Sequence, residues 1–123
     1  MTEKELSKYY WLRKEIKDLE ERLAEFGYGV SATKLDKEIS GITSTESIQE
    51  KRVIIIEKWI SARVSALEEY LKIESYIESV EDSEIRQIMR YRFLDLKKWN
   101  EIDKLMICGK DYAKKKYYQY RKK

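Results

Sequence analysis

The C-terminal segment of the chain is rich in side chains that bind phosphate. Between positions 110 and 123 it holds seven Lys or Arg residues and one Asp, which gives a net charge of +6. Such residues contact the phosphate backbone of nucleic acids, which supplies affinity and orientation but carries no sequence information. Lys115 and Gln119, with Tyr112 or Lys114, could also read base edges. The segment therefore predicts contact with double-stranded DNA.

Helical spacing divides this segment into two faces. Ala113, Tyr117 and Tyr120 step by four and three residues, which is the spacing of one buried helix face, and Asp111 can cap the start of the helix. The polar side chains share the other face. The alternative is a solvated helix end, which lysines near a helix C-terminus also favour. The predicted DNA-binding residues are Lys110, Tyr112, Lys114, Lys115, Tyr118, Gln119, Arg121 and Lys122.

The composition argues against an enzyme. The chain has no histidine and a single cysteine, Cys108. Histidine-based acid–base catalysis, a Cys/His zinc site and an intrachain disulfide are therefore excluded. A GxxxxGK[ST] phosphate loop is absent, and the carboxylates follow the i, i+4 spacing of solvated helix surfaces. We expect no catalytic residue, no metal ion and no cofactor.

Charge is distributed unevenly along the chain. Residues 1–83 hold 13 basic and 18 acidic side chains, a net charge of −5, whereas residues 84–123 hold 13 and five, a net charge of +8. An acidic segment joined to a basic one commonly separates a self-association element from an element that binds polyanions.

Two short amphipathic helices precede the basic segment and could position it. The first is predicted at 83–94, with Asp82 as its N-cap, and the second begins near Trp99. A polar turn around Gly109 then leads into the basic helix. Short helices joined by a tight turn, with the last one basic, predict a helix-turn-helix. Its predicted core residues are Ile85, Phe93, Trp99, Ile102 and Leu105.

The segment IRQIMRYRFLDLKKWNEIDKL resembles the late transcription regulators of the phage ArpU/RinA type, which carry a helix-turn-helix similar to sigma factor region 4. The matching features are the acidic cap, the Arg92-Phe93 pair, the short polar linker, and Trp99 with Ile102. The resemblance implies a phage or prophage DNA-binding protein that activates late genes. Two positions depart from the family pattern. Asp103 stands where the family usually has Ala, and the turn glycine comes late, at Gly109.

The N-terminal part predicts two helices joined by a loop. A helix over 3–26 carries an apolar seam and ends at Gly27; a Gly/Ser/Thr-rich loop follows at 27–45, and a long helix runs from 46 to 81. The fold class is therefore all-α: a long, coiled-coil-like helical hairpin arm (1–80) followed by a small C-terminal helix-turn-helix head (81–123). The first seam is Tyr9, Leu12, Ile16, Leu19, Leu23 and Phe26, and the long helix adds Val53, Ile56, Ile60, Val64, Leu67, Leu71, Ile73, Ile77 and Val80.

The opening of the long helix is apolar on more than one face, so it needs two neighbours. One is the first helix, and the other is either the head or a second subunit, which favours a homodimer through the arm. No stretch approaches 18 apolar residues and the N-terminus is charged, so we expect a cytoplasmic protein of a bacterial host cell with no membrane contact.

These observations predict a phage or prophage transcription regulator that binds promoter DNA through its basic helix, with host RNA polymerase as a further partner. Two alternatives from other classes stay open. The first is a DNA-packaging or replication accessory protein that uses the same head without regulating transcription. The second is a helical interaction scaffold whose Lys/Tyr helix binds an acidic protein and not nucleic acid.

Overall fold

A computed structural model describes the backbone of residues 1–28 and 45–122 and the side chains of residues 1–26 and 50–122. Throughout these residues the regular structure is helical, without a strand, which confirms the all-α class. A π-helical turn, Ala24–Tyr28, extends the second helix, and another, Arg90–Leu94, extends the fourth. The α-helices are α1 (Glu3–Leu6), α2 (Lys8–Leu23), α3 (Thr45–Ser79), α4 (Ser83–Met89), α5 (Trp99–Leu105) and α6 (Tyr112–Lys122).

Side-chain caps fix two of the helix starts. The side chain of Thr2 accepts a hydrogen bond from the backbone N–H of Glu5 at 3.2 Å, which satisfies a free donor in the first turn of α1. The carboxylate of Asp82 does the same for Glu84 at 2.9 Å in α4, as the sequence predicts. An acid at this place also suits the positive end of the helix dipole.

The chain forms two compact units, of which one contains residues 1–13 and 70–123. Its buried side chains come from the N-terminal helices, from the end of α3 and from α4, α5 and α6. The N-terminal residues, which the sequence-based division assigns to the arm, therefore pack within the same unit as the C-terminal helices. The buried apolar residues of this unit are Leu6, Tyr9, Leu12, Ile73, Ile77, Val80, Ile85, Ile88, Met89, Ile102, Ala113 and Tyr117.

The other unit contains residues 14–69. Leu19, Leu23 and Phe26 of the predicted first seam are buried in it. The rings of Phe26 and Trp59 meet edge to face with centroids 5.0 Å apart, a favourable geometry for aromatic pairs. Helical backbone continues to residue 28, one residue beyond Gly27, where the sequence predicts a helix end.

Among the described residues, much of the predicted seam of α3 is not packed within the chain. Val53 is 52% exposed, Val64 47% and Leu71 58%, whereas Ile73, Ile77 and Val80 are buried. In residues 14–69 the packed face of α3 instead contains Arg52, Trp59 and Ala66, each of which directly precedes a residue of the predicted seam. One residue rotates a helix face by about 100°. The seam therefore lies to the side of the packed face.

The predicted loop at 27–45 lies, apart from its ends, outside the described residues. In the part of the chain that is described, none of the helices has the length and apolar character that crossing a membrane requires.

Candidate nucleic-acid interface

The start of the basic helix α6 is held by a carboxylate from the preceding helix. Asp103 of α5 is 7% exposed and accepts hydrogen bonds from the backbone N–H groups of Asp111 (3.0 Å, Oδ2) and Ala113 (3.1 Å, Oδ1). The free N–H groups at a helix start and the helix dipole both favour a negative charge there. The side-chain acceptor of this first turn is thus Asp103, whereas the sequence predicts Asp111. The residue that departs from the family pattern joins the two helices.

The turn between α5 and α6 folds around the same carboxylate. The thiol of Cys108 donates to Oδ1 of Asp103 at 3.4 Å, and its backbone N–H donates to the Asp103 carbonyl at 3.0 Å. Burial, together with the adjacent Asp103, raises the pKa of the Cys108 thiol. Left-handed backbone occurs at Ile107 (φ 53°) and Asp111 (φ 63°), not at Gly109, beside which a Cβ atom would have open space. The predicted turn is therefore present, but its backbone does not require glycine at position 109.

The inward face of α6 packs on a cluster of aromatic rings. Tyr117 is 1% exposed, and its ring centroid lies 5.8 Å from those of both Phe93 and Trp99. The guanidinium of Arg92 lies 4.8 Å from the ring centroid of Trp99 and donates to the Lys97 carbonyl at 3.0 Å. Arg92 therefore packs against the core through its contact with Trp99. Burial raises the pKa of the Tyr117 hydroxyl. Tyr117 also donates a hydrogen bond to Glu3 at 3.3 Å.

A second set of contacts ties α6 to the start of α4. The ammonium group of Lys116 lies 2.5 Å from Glu84 Oε2 and 3.3 Å from Asp82 Oδ2, and the hydroxyl of Tyr112 donates to Glu84 at 2.9 Å. The hydrogen bond with Glu84 raises the pKa of Lys116, and Lys116 in turn lowers the pKa of Glu84. The pKa of Asp82 is lowered mainly by the N–H group of Glu84 that it caps. Lys116 thus has a structural role.

The outward face of α6 presents exposed polar side chains. All of them are predicted DNA-binding residues, and they project from a helix whose other face is buried in the core. Five of them, together with Asp111, line a shallow open depression along the helix. This outward face consists of Lys114, Lys115, Tyr118, Gln119 and Lys122, and the exposed Lys110 lies in the turn just before the helix.

Two other predicted DNA-binding residues are placed differently. The guanidinium of Arg121 donates to the Met1 carbonyl at 2.6 Å and to the Tyr76 hydroxyl at 2.9 Å, so it stabilises packing and does not project with its neighbour Lys122. Tyr112 is 42% exposed, but its hydroxyl is engaged with Glu84. Arg121 is therefore held within the fold and is not part of the exposed basic surface. Tyr112 remains partly exposed, beside that surface.

The predicted core residues are placed as follows. Ile85 and Ile102 are buried, and Phe93 and Trp99 are half-buried around Tyr117. Leu105 is 51% exposed, so its assignment to the core is wrong. The inward positions of α5 are those around Ile102 and Asp103, and Leu105 lies about 160° away from Asp103 around the helix at about 100° per residue.

The sequence-based reasoning missed the role of Asp103. The sequence signal for this role is simple: an acid on the preceding helix, eight residues before the cap position, can reach the start of the next helix across a short turn. A charged residue on the apolar side of a short helix, adjacent to Ile102, is such a signal because buried carboxylates need partners.

Chemically, this surface can bind a polyanion. The exposed ammonium groups belong to Lys110, Lys114, Lys115 and Lys122, and the amide of Gln119 lies among them. Ammonium groups neutralise phosphates, and an amide can donate to and accept from the edge of a base. Among the described residues no group of three or more His, Cys, Asp or Glu side chains is arranged to hold a metal ion.

Comparison with protein-family models, with curated proteins and with solved structures gave no significant match.

Proposed function

We propose that the protein is a DNA-binding transcription regulator of the phage or prophage type, in which α6 is the recognition helix that enters the major groove of promoter DNA. The observation that carries the proposal is the division of α6 into two faces. One face is buried on the aromatic core and anchored by Asp103, and the other presents only polar or amphipathic side chains. A recognition helix needs this division, because it must be held rigidly while its outer side chains reach the bases.

The charge distribution supports DNA over a protein partner. The exposed lysines of α6 are spread along about two turns of the helix, and Lys114, Lys115 and Lys122 share a face about 12 Å long at 1.5 Å per residue. Over such a length duplex DNA offers several phosphates to these lysines, since it carries one charge per about 1.7 Å of helix axis. An acidic protein would have to match the same linear array with carboxylates.

Few side chains are available to read sequence. Gln119 fits adenine through its amide, and Lys115 fits guanine through its ammonium group. With so few base contacts a single head would bind one half-site weakly. Specificity then requires a second head in a homodimer or contact with RNA polymerase, and activation of late genes is part of the same proposal.

Fluorescence anisotropy with labelled duplexes across a salt series tests the proposal. A duplex enriched from a random library by the protein is compared with a scrambled duplex. If Lys110, Lys114, Lys115 and Lys122 each neutralise one phosphate, the logarithm of affinity falls with the logarithm of salt with a slope of about −4. The variant Lys114→Glu/Lys115→Glu should lose binding.

The matched control is Lys51→Glu/Lys58→Glu, which makes the same charge change at two exposed lysines of α3. This variant should bind DNA as the wild type does. Equal binding of both duplexes favours the packaging or accessory alternative. Absence of binding even at low salt contradicts the proposal and favours the scaffold with an acidic protein partner.

A further inference from the structure

We infer that α3 pairs with α3 of a second copy of this chain through an exposed apolar stripe made of Val53, Ile60, Val64 and Leu67. The inference deepens the proposed function, because it names the surface for the self-association on which specific DNA binding depends. It does not require that DNA be bound.

The stripe runs along one side of α3. Val53 is 52% exposed, Ile60 36% and Val64 47%, while Leu67 is half-buried. Their steps of seven, four and three residues keep all four side chains on one face, which is the spacing of a coiled-coil seam. The stripe is about 21 Å long at 1.5 Å per residue.

The chain's own helix α2 packs on a different side of α3. In residues 14–69 the contacts come from Trp59, whose ring meets that of Phe26 and lies 5.9 Å from the guanidinium of Arg22. Arg52 lies over the Phe26 ring, and Ala66 is buried. These residues each precede a stripe residue and so lie about 100° around the helix from it. Intrachain packing therefore leaves the stripe uncovered among the described residues.

The stripe suits a second copy because its two outer residues are evenly spaced about Ile60. Val53 and Leu67 lie seven residues, about two turns, on either side of Ile60. Two copies paired around this point in either direction therefore place apolar side chains against apolar ones. A self-complementary patch of this kind is what a two-fold interface needs.

The charges around the stripe favour the same partner. Residues 50–72 hold five basic and four acidic side chains, so this part of α3 is nearly neutral. A strongly acidic or basic partner would meet no surface of opposite charge here. A second copy presents the same nearly neutral surface. Electrostatic complementarity selects partners mainly by excluding mismatched ones.

The size of the stripe predicts a reversible dimer. Stable complexes bury about 800 Å² per partner, and contacts of smaller area are typically transient. A single helix face 21 Å long belongs to the smaller class. The monomer–dimer equilibrium should therefore depend on protein concentration, and it should shift further towards the dimer when two half-sites on one duplex bring two heads together.

Sedimentation equilibrium of the full chain over a range of concentrations tests the inference. We expect the wild type to approach twice its chain mass of 14.9 kDa as concentration rises. The variant Ile60→Glu/Val64→Glu should weaken dimerisation at least tenfold. The control Ser61→Glu/Ser65→Glu places the same two charges one residue further along, at exposed positions off the stripe, and should dimerise normally.

Disulfide trapping gives an independent readout, because it does not use the charged variant and so is unaffected by any loss of stability in that variant. In a Cys108→Ser background, Ile60→Cys should form a covalent dimer on mild oxidation, whereas Ser65→Cys should not. A wild type that stays monomeric at all concentrations, a stripe variant that dimerises normally, or an Ile60→Cys chain that is not trapped would each overturn the inference. None of these measurements contains DNA, so failure here is distinguishable from failure of the proposed function.

Discussion

Asp103 links α5 and α6 through a single carboxylate. Its two oxygen atoms accept hydrogen bonds from the backbone N–H groups of Asp111, just before α6, and of Ala113, in the first turn of α6. The thiol of Cys108 donates to the same side chain. An alanine here would leave the N–H group of the buried Ala113 without this acceptor. Asp103 therefore holds the start of the basic helix against α5.

Asp103→Ala should lower the free energy of unfolding by about 1–3 kcal/mol, the cost of leaving buried donors unsatisfied. Chemical denaturation followed by far-UV circular dichroism measures the change. Asp111→Asn is the control, because Asn tolerates the left-handed backbone of this exposed residue, which contributes its backbone N–H to the cap. Equal losses in the two variants would contradict the role assigned to Asp103.

The cluster of Lys116 with Asp82 and Glu84 predicts that the free energy of unfolding decreases at acidic pH. In the folded chain the pKa of Glu84 lies below 4.5 and that of Asp82 below 3.8. The unfolded chain therefore takes up protons first as the pH falls, so stability is full above about 4.5 and declines through the two folded pKa values.

Lys116→Gln should flatten this acid dependence, which unfolding midpoints measured from neutral pH down to about pH 2 would show. The substitution should affect the pKa of Glu84 more than that of Asp82. Lys116 is the largest cause of the lowered pKa at Glu84, whereas a backbone N–H group is the largest cause at Asp82. An identical pH profile in the variant would contradict the assignment.

At the level of whole helices, α6 combines two sets of side chains with different roles. Adjacent residues show this: Arg121 bonds to Met1 and Tyr76, while Lys122 is exposed beside the other lysines. The sequence places both on the outward face, because a run of basic residues contains no signal for which one finds an intrachain acceptor. The acceptors come from residues 45 and 120 positions away.

Arg121→Gln and Lys122→Gln should therefore have opposite effects. Loss of hydrogen bonds to a charged group should cost Arg121→Gln about 1.5–3 kcal/mol of stability and leave the salt slope of DNA binding unchanged. Lys122→Gln should leave stability within about 0.5 kcal/mol and reduce the slope by about one. Chemical denaturation and fluorescence anisotropy of both variants measure these two effects. If Arg121→Gln reduced the salt slope and left stability unchanged, Arg121 would be a DNA-contacting residue.

Helix α3 shows why apolar periodicity alone misassigns a face. Its sequence RVIIIEKWI offers apolar residues on several sides, so one seam can be drawn through Ile60 and another through Trp59. The larger aromatic ring, which can pair with Phe26, takes the packed side. Helix type and approximate length were predictable from the sequence, since no Pro interrupts it, but the choice between two apolar faces depends on tertiary packing.

Across the whole molecule, the residues at the two ends of the chain share one compact unit. Leu6 and Tyr9 are fully buried in the unit that contains α4, α5 and α6. The sequence predicted both helical regions but assigned the N-terminus to an arm. Contacts between residues more than 100 positions apart, such as Tyr117 with Glu3, have no local sequence signal.

Leu6→Ala should therefore destabilise the unit that includes the basic helix, by about 2–5 kcal/mol, the usual cost of truncating a fully buried leucine. Trp11→Ala removes a larger side chain, but Trp11 is 62% exposed, so its cost should be smaller. Thermal or chemical unfolding of the two variants gives the comparison. A larger loss for Trp11→Ala would contradict the placement of the N-terminal residues.

The separation of roles on α6 also bears on how this surface can diverge. Ala113, Lys116 and Tyr117 hold the helix in place, whereas Lys114, Lys115 and Gln119 are exposed. Substitutions at the exposed positions leave the packing contacts of the helix intact. These positions can therefore change with little effect on the stability of the fold. A library randomised at these codons alone should yield folded proteins at high frequency.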